Sequence, residues 1–313
     1  MDHTHMHRWD RAGLERPRTA PELLARRFEA PVPLLAPLLS TGTLALVHGP
    51  RGLGKSFLAL HLAWAVAAGE SFLGWRAPQP RPVLYVDGEM TDAELQARLR
   101  LLPSQPDGLQ LLIAHASQYP LGDLAESDGQ ARLRRTLMLM MEARPALVVL
   151  DNLASLTGFS AEHHDRWTRL QHFLLSMRVA GHAVLIVHHS NKRGLQRGTS
   201  RREDALDLTL GLRRPADHAP REGLRVEIHF EKARGLFGEA VAPIEARMAT
   251  DPASGRVGWQ WRRAEEGELE RAARLLRAGL KPGQMALELG ISRSKGYELR
   301  ARALERGLLE GVP

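Results

Sequence analysis

The 313-residue chain contains no cysteine. This excludes disulfides, thiolate metal sites and cysteine nucleophiles, and it fits a reducing cytoplasm. No apolar run approaches the roughly 20 residues of a bilayer-crossing helix, so no membrane partner is expected. The opening Met-Asp-His-Thr-His-Met-His lacks the charged-then-apolar order of a signal peptide. Lysine is scarce: the 43 basic residues divide into 38 Arg and 5 Lys. In such a chain lysine should persist mainly where a compact ammonium on a flexible stem works better than a planar fork. The five are Lys55, Lys192, Lys232, Lys281 and Lys295.

What is present is ordinary for a globular protein, with 43% hydrophobic and 25% charged residues. The net charge of +7 favours a polyanionic partner such as nucleic acid. The length suits one large α/β domain plus a small appendage. Residues 1–38, rich in Pro, Arg and His, read as an N-terminal extension with one short helix near Pro21–Phe28. Its alternating His3, His5 and His7 read as part of a tail rather than a metal site, because no further ligand follows at helical spacing.

From residue 39 to 263 apolar runs alternate with helical stretches. Strands are predicted at Thr43–His48, Pro82–Val86, Leu109–His115, Ala146–Leu150 and Ala183–Val187. Helices are predicted at Ser56–Ala68, Thr91–Leu102, Gln130–Glu142 and His164–Val179. This order predicts an α/β fold with a parallel sheet and helices on both faces. After Arg213 the pattern changes to strands joined by turns, at Leu206–Leu212, Leu224–Glu231, Val241–Met248 and Val257–Arg262. These are expected as antiparallel additions to the sheet edge.

Gly49-Pro50-Arg51-Gly52-Leu53-Gly54-Lys55-Ser56 matches the phosphate-binding pattern G-x-x-x-x-G-K-[ST] in full. It follows an apolar strand and opens a helix. Glycines let the backbone close around phosphate with its N–H groups inward, and the helix start adds partial positive charge. These residues, with Phe57, are the candidate ATP site. Lys55 is expected on the β- and γ-phosphates and Ser56 on Mg²⁺. Asp151, at the end of a buried strand, suits the second hold on Mg²⁺, through water. Glu89 lies just past the second strand. If that strand neighbours the phosphate-loop strand, Glu89 is placed to orient and deprotonate the attacking water, with Asp87 as rival base. His188-His189 ends another strand, where His189 is a candidate to hydrogen-bond the γ-phosphate.

The series GPRGLGKS, YVDGE, LVVLDN, VLIVHHSNK, a basic loop, ALDLTLGL and EKARG resembles the RecA-like ATPases of the hexameric helicase branch. It is most similar to the plasmid-encoded RepA type of replicative helicase and related mobile-element ATPases. The resemblance runs from about Leu34 to Arg262 and implies a RecA-like fold. It implies Glu89 as catalytic glutamate and His189 as γ-phosphate sensor. Lys232 and Arg234 would be inserted into a neighbouring subunit's ATP site, adding positive charge to the transferring phosphoryl group. In such ATPases the loop after the sensor strand faces the ring channel. Here that loop carries Lys192, Arg193, Arg197, Arg201 and Arg202, suited to phosphate contacts with single-stranded DNA. Set against replicative helicases, no primase-binding N-terminal domain is expected, so a loader, translocase or recombination mediator shares the same expectation.

Residues 266–313 form the expected C-terminal unit. Helices are predicted at Glu268–Ala278, Pro282–Leu289 and Arg293–Arg306. MALELGISRSKGYELRARAL resembles a helix-turn-helix of truncated winged form, capped by Ser292, with Arg293, Ser294, Lys295 and Arg300 toward DNA. Gly296 stands where such a helix usually carries an apolar residue. The expected function is an oligomeric, hexameric ATPase motor on single-stranded DNA, with replication or recombination proteins as further partners. The alternatives are an ATP-switched DNA-binding regulator and a small-molecule P-loop kinase. The kinase would leave the basic loop and the Lys-x-Arg element without a task.

Overall fold

The computed structural model describes residues 16–115, 118–140, 144–158, 164–189 and 204–309. The chain divides into two compact units, Met1–Val32 and Pro33–Pro313. In the first, helix α1 (Ala20–Leu24) is shorter than the predicted Pro21–Phe28. Thr19 caps it reciprocally with Glu22, and the helix buries none of its residues. His3, His5 and His7 lie outside the described residues.

The second unit opens with a ribbon of β1 (Pro33–Leu35) and β2 (Leu39–Ser40). β3 (Leu44–Gly49) then leads through the phosphate-binding loop into helix α2 (Lys55–Ala68). A small hairpin, β4 (Ser71–Phe72) and β5 (Trp75–Arg76), follows. Its two-residue turn has Leu73 at φ 52° and Gly74 at φ 84°, a twist suited to so tight a connection. A Cβ on Gly74 would stand 2.3 Å from the Trp261 ring, so glycine is needed twice over. Strands of two residues carry no usable periodicity, and the sequence did not predict them.

The remaining elements are β6 (Val83–Asp87), α3 (Asp92–Arg100), β7 (Leu109–Ile113), α4 (Ser127–Leu139), β8 (Leu147–Asp151), α5 (Leu153–Thr157), α6 (His164–Val179) and β9 (Ala183–His189). Then come β10 (Leu208–Arg213), β11 (Arg225–Ala233), β12 (Ile244–Thr250) and β13 (Val257–Arg263). The nine-stranded sheet has the order β13-β12-β11-β10-β3-β9-β8-β6-β7. From β10 to β7 neighbours run parallel, and β11, β12 and β13 are added antiparallel. This is the RecA-like α/β architecture expected from the element order, with one correction. The strand expected at Leu206–Leu212 as an antiparallel edge addition is β10, which runs parallel beside β3 within the sheet, so only β11, β12 and β13 are antiparallel.

Each central strand alternates between two cores, because successive side chains point to opposite faces. Ala45, Val47, Tyr85, Val149 and Leu185 pack under α2. α2 is apolar around its whole circumference, so it is buried on all sides rather than along one stripe. Leu44, Leu46, Val148, Val184 and Ile186 face the second core, built with α4, α5 and α6.

Three helices close the chain: α7 (Ala264–Arg277), α8 (Pro282–Glu288) and α9 (Arg293–Glu305). α7 starts directly at the end of β13, four residues before the predicted Glu268. These helices share a small core of Leu269, Ala272, Leu276, Met285 and Leu299. Ser292 caps α9 by accepting from Lys295 N at 3.2 Å. Gly296 is buried, and a Cβ there would lie 2.7 Å from Ala286 Cβ and 2.9 Å from Pro282 O. The glycine that departs from the usual pattern is what lets α8 and α9 cross closely. α7 is bound to the sheet by ions. Arg271 donates to Glu245 at 2.7 Å and to Glu227 at 3.2 Å, and Glu245 also accepts from Arg225 and Arg262.

Candidate active site

The parallel strands end together, so their C-terminal tips gather β3, β6, β8 and β9 residues in one crevice. In the loop from Gly49 to Ser56, Gly52 and Gly54 have φ of 77° and 74°, a region other residues rarely adopt. A Cβ on Gly54 would meet Leu224 at 2.5 Å, while around Gly52 nothing lies within 4 Å. The loop thus opens outward at Gly52 and is held inward at Gly54. Lys55 is buried, 3% exposed, and its ammonium donates to Gly49 O at 2.9 Å and Pro50 O at 2.7 Å. Burial pulls its pKa down to about 8, against the charges of Asp151 and Glu89, which favour the ammonium.

Asp151 is 2% exposed at the tip of β8. Burial raises its pKa to about 6, opposed by hydrogen bonds from the Tyr85 and Ser56 hydroxyls. The Tyr85 hydroxyl, fully buried, donates to Asp151 Oδ2. Ser56 and Asp151 are therefore brought together, as the sequence reading required. The donor set, a hydroxyl and a carboxylate beside a phosphate-type loop, fits Mg²⁺ with its preference for oxygen and for phosphate ligands. The loop and the start of the 14-residue α2 fit the phosphates.

Glu89 reaches the crevice by a different route from the one expected. β6 does not neighbour β3, because β9 and β8 lie between them. Asp87 instead shapes the turn after β6, its Oδ1 accepting from Glu89 N at 2.9 Å and Met90 N at 2.6 Å. That turn carries the Glu89 carboxylate back to Asn152, whose Nδ2 donates to Glu89 Oε2 at 2.6 Å. The same Nδ2 lies 3.3 Å from His189 Nε2, and His189 Nε2 lies 3.9 Å from Glu89 Oε2. His189 stands opposite Gly49 in the strand register. Burial and then the Lys55 charge hold its pKa below the ordinary value, so it is neutral at physiological pH.

Asn152 and Tyr85 escaped the sequence reading. Asn152 also caps α5, its Oδ1 accepting from Ser155 N at 3.2 Å. Asparagine before a short helix was the available signal. For Tyr85 it was a hydroxyl inside an otherwise apolar strand, which must find a partner. Arg51 is exposed. Phe57 lies on the first turn of α2 under the guanidinium of Arg98, 4.7 Å from ring centroid to Cζ.

Lys232 and Arg234 are not part of this crevice. β11 runs antiparallel, so Ala233 pairs with Leu208 and that in turn with Ala45, at the start of β3. The segment is four strand steps from Gly49, roughly 13 Å, at the other end of the sheet. Lys232 Nζ donates to Asp204 O at 3.4 Å and Arg234 Nη1 to Asp207 Oδ1 at 3.3 Å. Of the DNA candidates, Lys192, Arg193, Arg197, Arg201 and Arg202 lie outside the described residues. Arg293 and Arg300 are exposed on α9, and Lys295 pairs with Glu298 at 3.3 Å.

A phosphate-binding loop ahead of a buried helix, with a buried strand-tip aspartate facing its serine, defines a P-loop ATPase. A family model described as "AAA domain" (AAA_25) matches residues 11–194, more than half of the chain, and the chain belongs to that family. No curated protein matches it significantly. Among the described residues no helix is long and apolar enough to cross a membrane.

Proposed function

We propose that the protein is an oligomeric RecA-like ATPase motor of the RepA type, acting on single-stranded DNA in the replication of a mobile element. Lys55 holds the β- and γ-phosphates, and Glu89 orients the attacking water and takes its proton. Asn152 fixes the Glu89 carboxylate against His189, which hydrogen-bonds the γ-phosphate as a neutral imidazole. Mg²⁺, held by Ser56 and through water by Asp151, would supply positive charge to the phosphate oxygens. Residues 39–263 are the ATPase body and 266–313 the helix-turn-helix unit.

The observation that carries the oligomeric part is the separation of Lys232 and Arg234 from their own chain's crevice. Arg234 is 61% exposed, and the nearby Phe237 is 81% exposed. Two cations next to an exposed aromatic suit a contact between subunits, where they would stabilise a neighbour's transferring phosphoryl group. The test is ATP hydrolysis with and without single-stranded DNA, for wild type and Lys232→Ala. Stimulation by DNA, lost in Lys232→Ala and partly restored by mixing with Glu89→Gln subunits, is expected. Hydrolysis indifferent to both DNA and Lys232 sinks the motor reading. It would favour an ATP-switched DNA-binding regulator, a reading supported by the exposed Arg293 and Arg300 on the Ser292-capped α9.

A further inference from the structure

The strand that carries the phosphate-binding loop is hooked at both ends to the segment that carries Lys232 and Arg234. At its start, Leu44 N donates to Asp207 Oδ2 at 2.9 Å, and Asp207 also accepts from Arg234 through Oδ1 and, through its carbonyl, from Arg234 N at 2.7 Å. Near its end, His48 Nε2 stands 2.7 Å from Glu231 Oε2. His48 directly precedes Gly49 and is buried.

The second hook spans an intervening strand, and three features make it fit. β10 lies between β3 and β11. The register slips from Thr209↔Lys232 to Leu210↔Phe230, so Glu231 is the extra residue of a bulge. Bulges re-aim a side chain that a regular ladder would point elsewhere. Gly211 lies beside both His48 and His229 in the register, and a Cβ on it would be 2.3 Å from Glu231 Oε1 and 2.7 Å from Cδ. Only a bare backbone at 211 lets the carboxylate pass over β10. Arg213 Nη2 then steadies the second oxygen at 3.3 Å.

We infer that Glu231 is a positioning residue that couples the two halves of the hydrolysis machinery. Through His48 it ties the P-loop strand to the Lys232–Arg234 turn, so nucleotide held at Gly49–Ser56 sets where these two cations stand. Glu231 itself touches no nucleotide. The inference rests on the reading that Lys232 and Arg234 act on a neighbouring copy's ATP, and it supplies the link from one site to the next.

The test is amide hydrogen exchange on the full chain, with and without the imido analogue of ATP and Mg²⁺. In wild type the analogue is expected to slow exchange at residues 49–58 and at residues 230–236. In Glu231→Ala and Gly211→Ala the first protection persists and the second is lost. Glu231→Gln, which keeps a hydrogen-bond partner for His48, retains part of it. The protection at 49–58 shows in each case that the variant folds and binds. Should Gly211→Ala fail that check, the Glu231 pair decides. Full protection of 230–236 in Glu231→Ala, or none in wild type, overturns the coupling. Lys232→Ala hydrolysing ATP at the wild-type rate would overturn the intersubunit reading instead, so the two failures are told apart.

Discussion

Lys55 shows how much a single residue's setting differs from what its motif states. The pattern places an ammonium beside phosphate. The fold also buries it against two carbonyls and lowers its pKa from 10.5 to about 8. The folded state thus binds the proton less tightly than the unfolded chain. Between these two values the unfolded state holds more protons, so this group makes stability rise with pH there. Relative to Lys55→Met, the wild type should gain up to about 3 kcal/mol between pH 7 and pH 10.5. Urea unfolding of both proteins without nucleotide at the two pH values measures this, and parallel pH curves would refute it. Asp151, Glu89 and His189 were legible as candidates because each sits at or just past the end of an apolar strand. Asn152, which joins the last two, was not. A hydrogen bond between residues 63 and 37 positions apart leaves no trace in local pattern.

Among the elements, β3 and α2 were the easiest to read, since an apolar run, a glycine-rich loop and an apolar helix follow one another without a break. The antiparallel strands were read with shifted ends, β12 beginning at Ile244 instead of Val241. A 3₁₀ turn at Gly238–Val241 takes in Val241, and the strand starts only after it. The attachment of α7 was invisible, because it depends on Glu245 meeting arginines from β11, β13 and α7 at once. Burial pushes the Glu245 carboxyl up, but hydrogen bonds from Arg225 and Arg262 outweigh this and hold it below the ordinary range. That stabilisation is present above the ordinary glutamate pKa and is lost as pH falls through the depressed value. Glu245→Ala removes one partner each from buried Arg225, which keeps Asp217 and Glu222, and Arg271, which keeps Glu227, and should cost about 1–3 kcal/mol. Chemical unfolding at pH 7 tests this, and a loss below about 1 kcal/mol would mean that solvent or other carboxylates replace Glu245.

For the whole molecule, the net charge of +7 and the run of cations at 192–202 concern the partner rather than the fold. If single-stranded DNA is bound through phosphates, log affinity should fall linearly with log salt. Replacing Lys192 and Arg193 by alanine should reduce that slope by about 0.7 for each lost contact. Fluorescence anisotropy with a labelled oligonucleotide across a salt series measures it. An unchanged slope would remove this segment from the DNA path.

The sequence alone determined the class of chemistry and the layered fold. The phosphate-binding loop is contiguous, and strand and helix periods are local properties of the chain. The tertiary structure decided which residues meet. It separated β6 from β3 by two strands and still returned Glu89 to the crevice through the Asp87 turn. It also put Lys232 and Arg234 at the far end of the sheet, and passed the Glu231 carboxylate over Gly211 to His48. These outcomes depend on strand order, register and a single bulge. Sequence spacing carries none of the three, because they are fixed only when distant segments pack together.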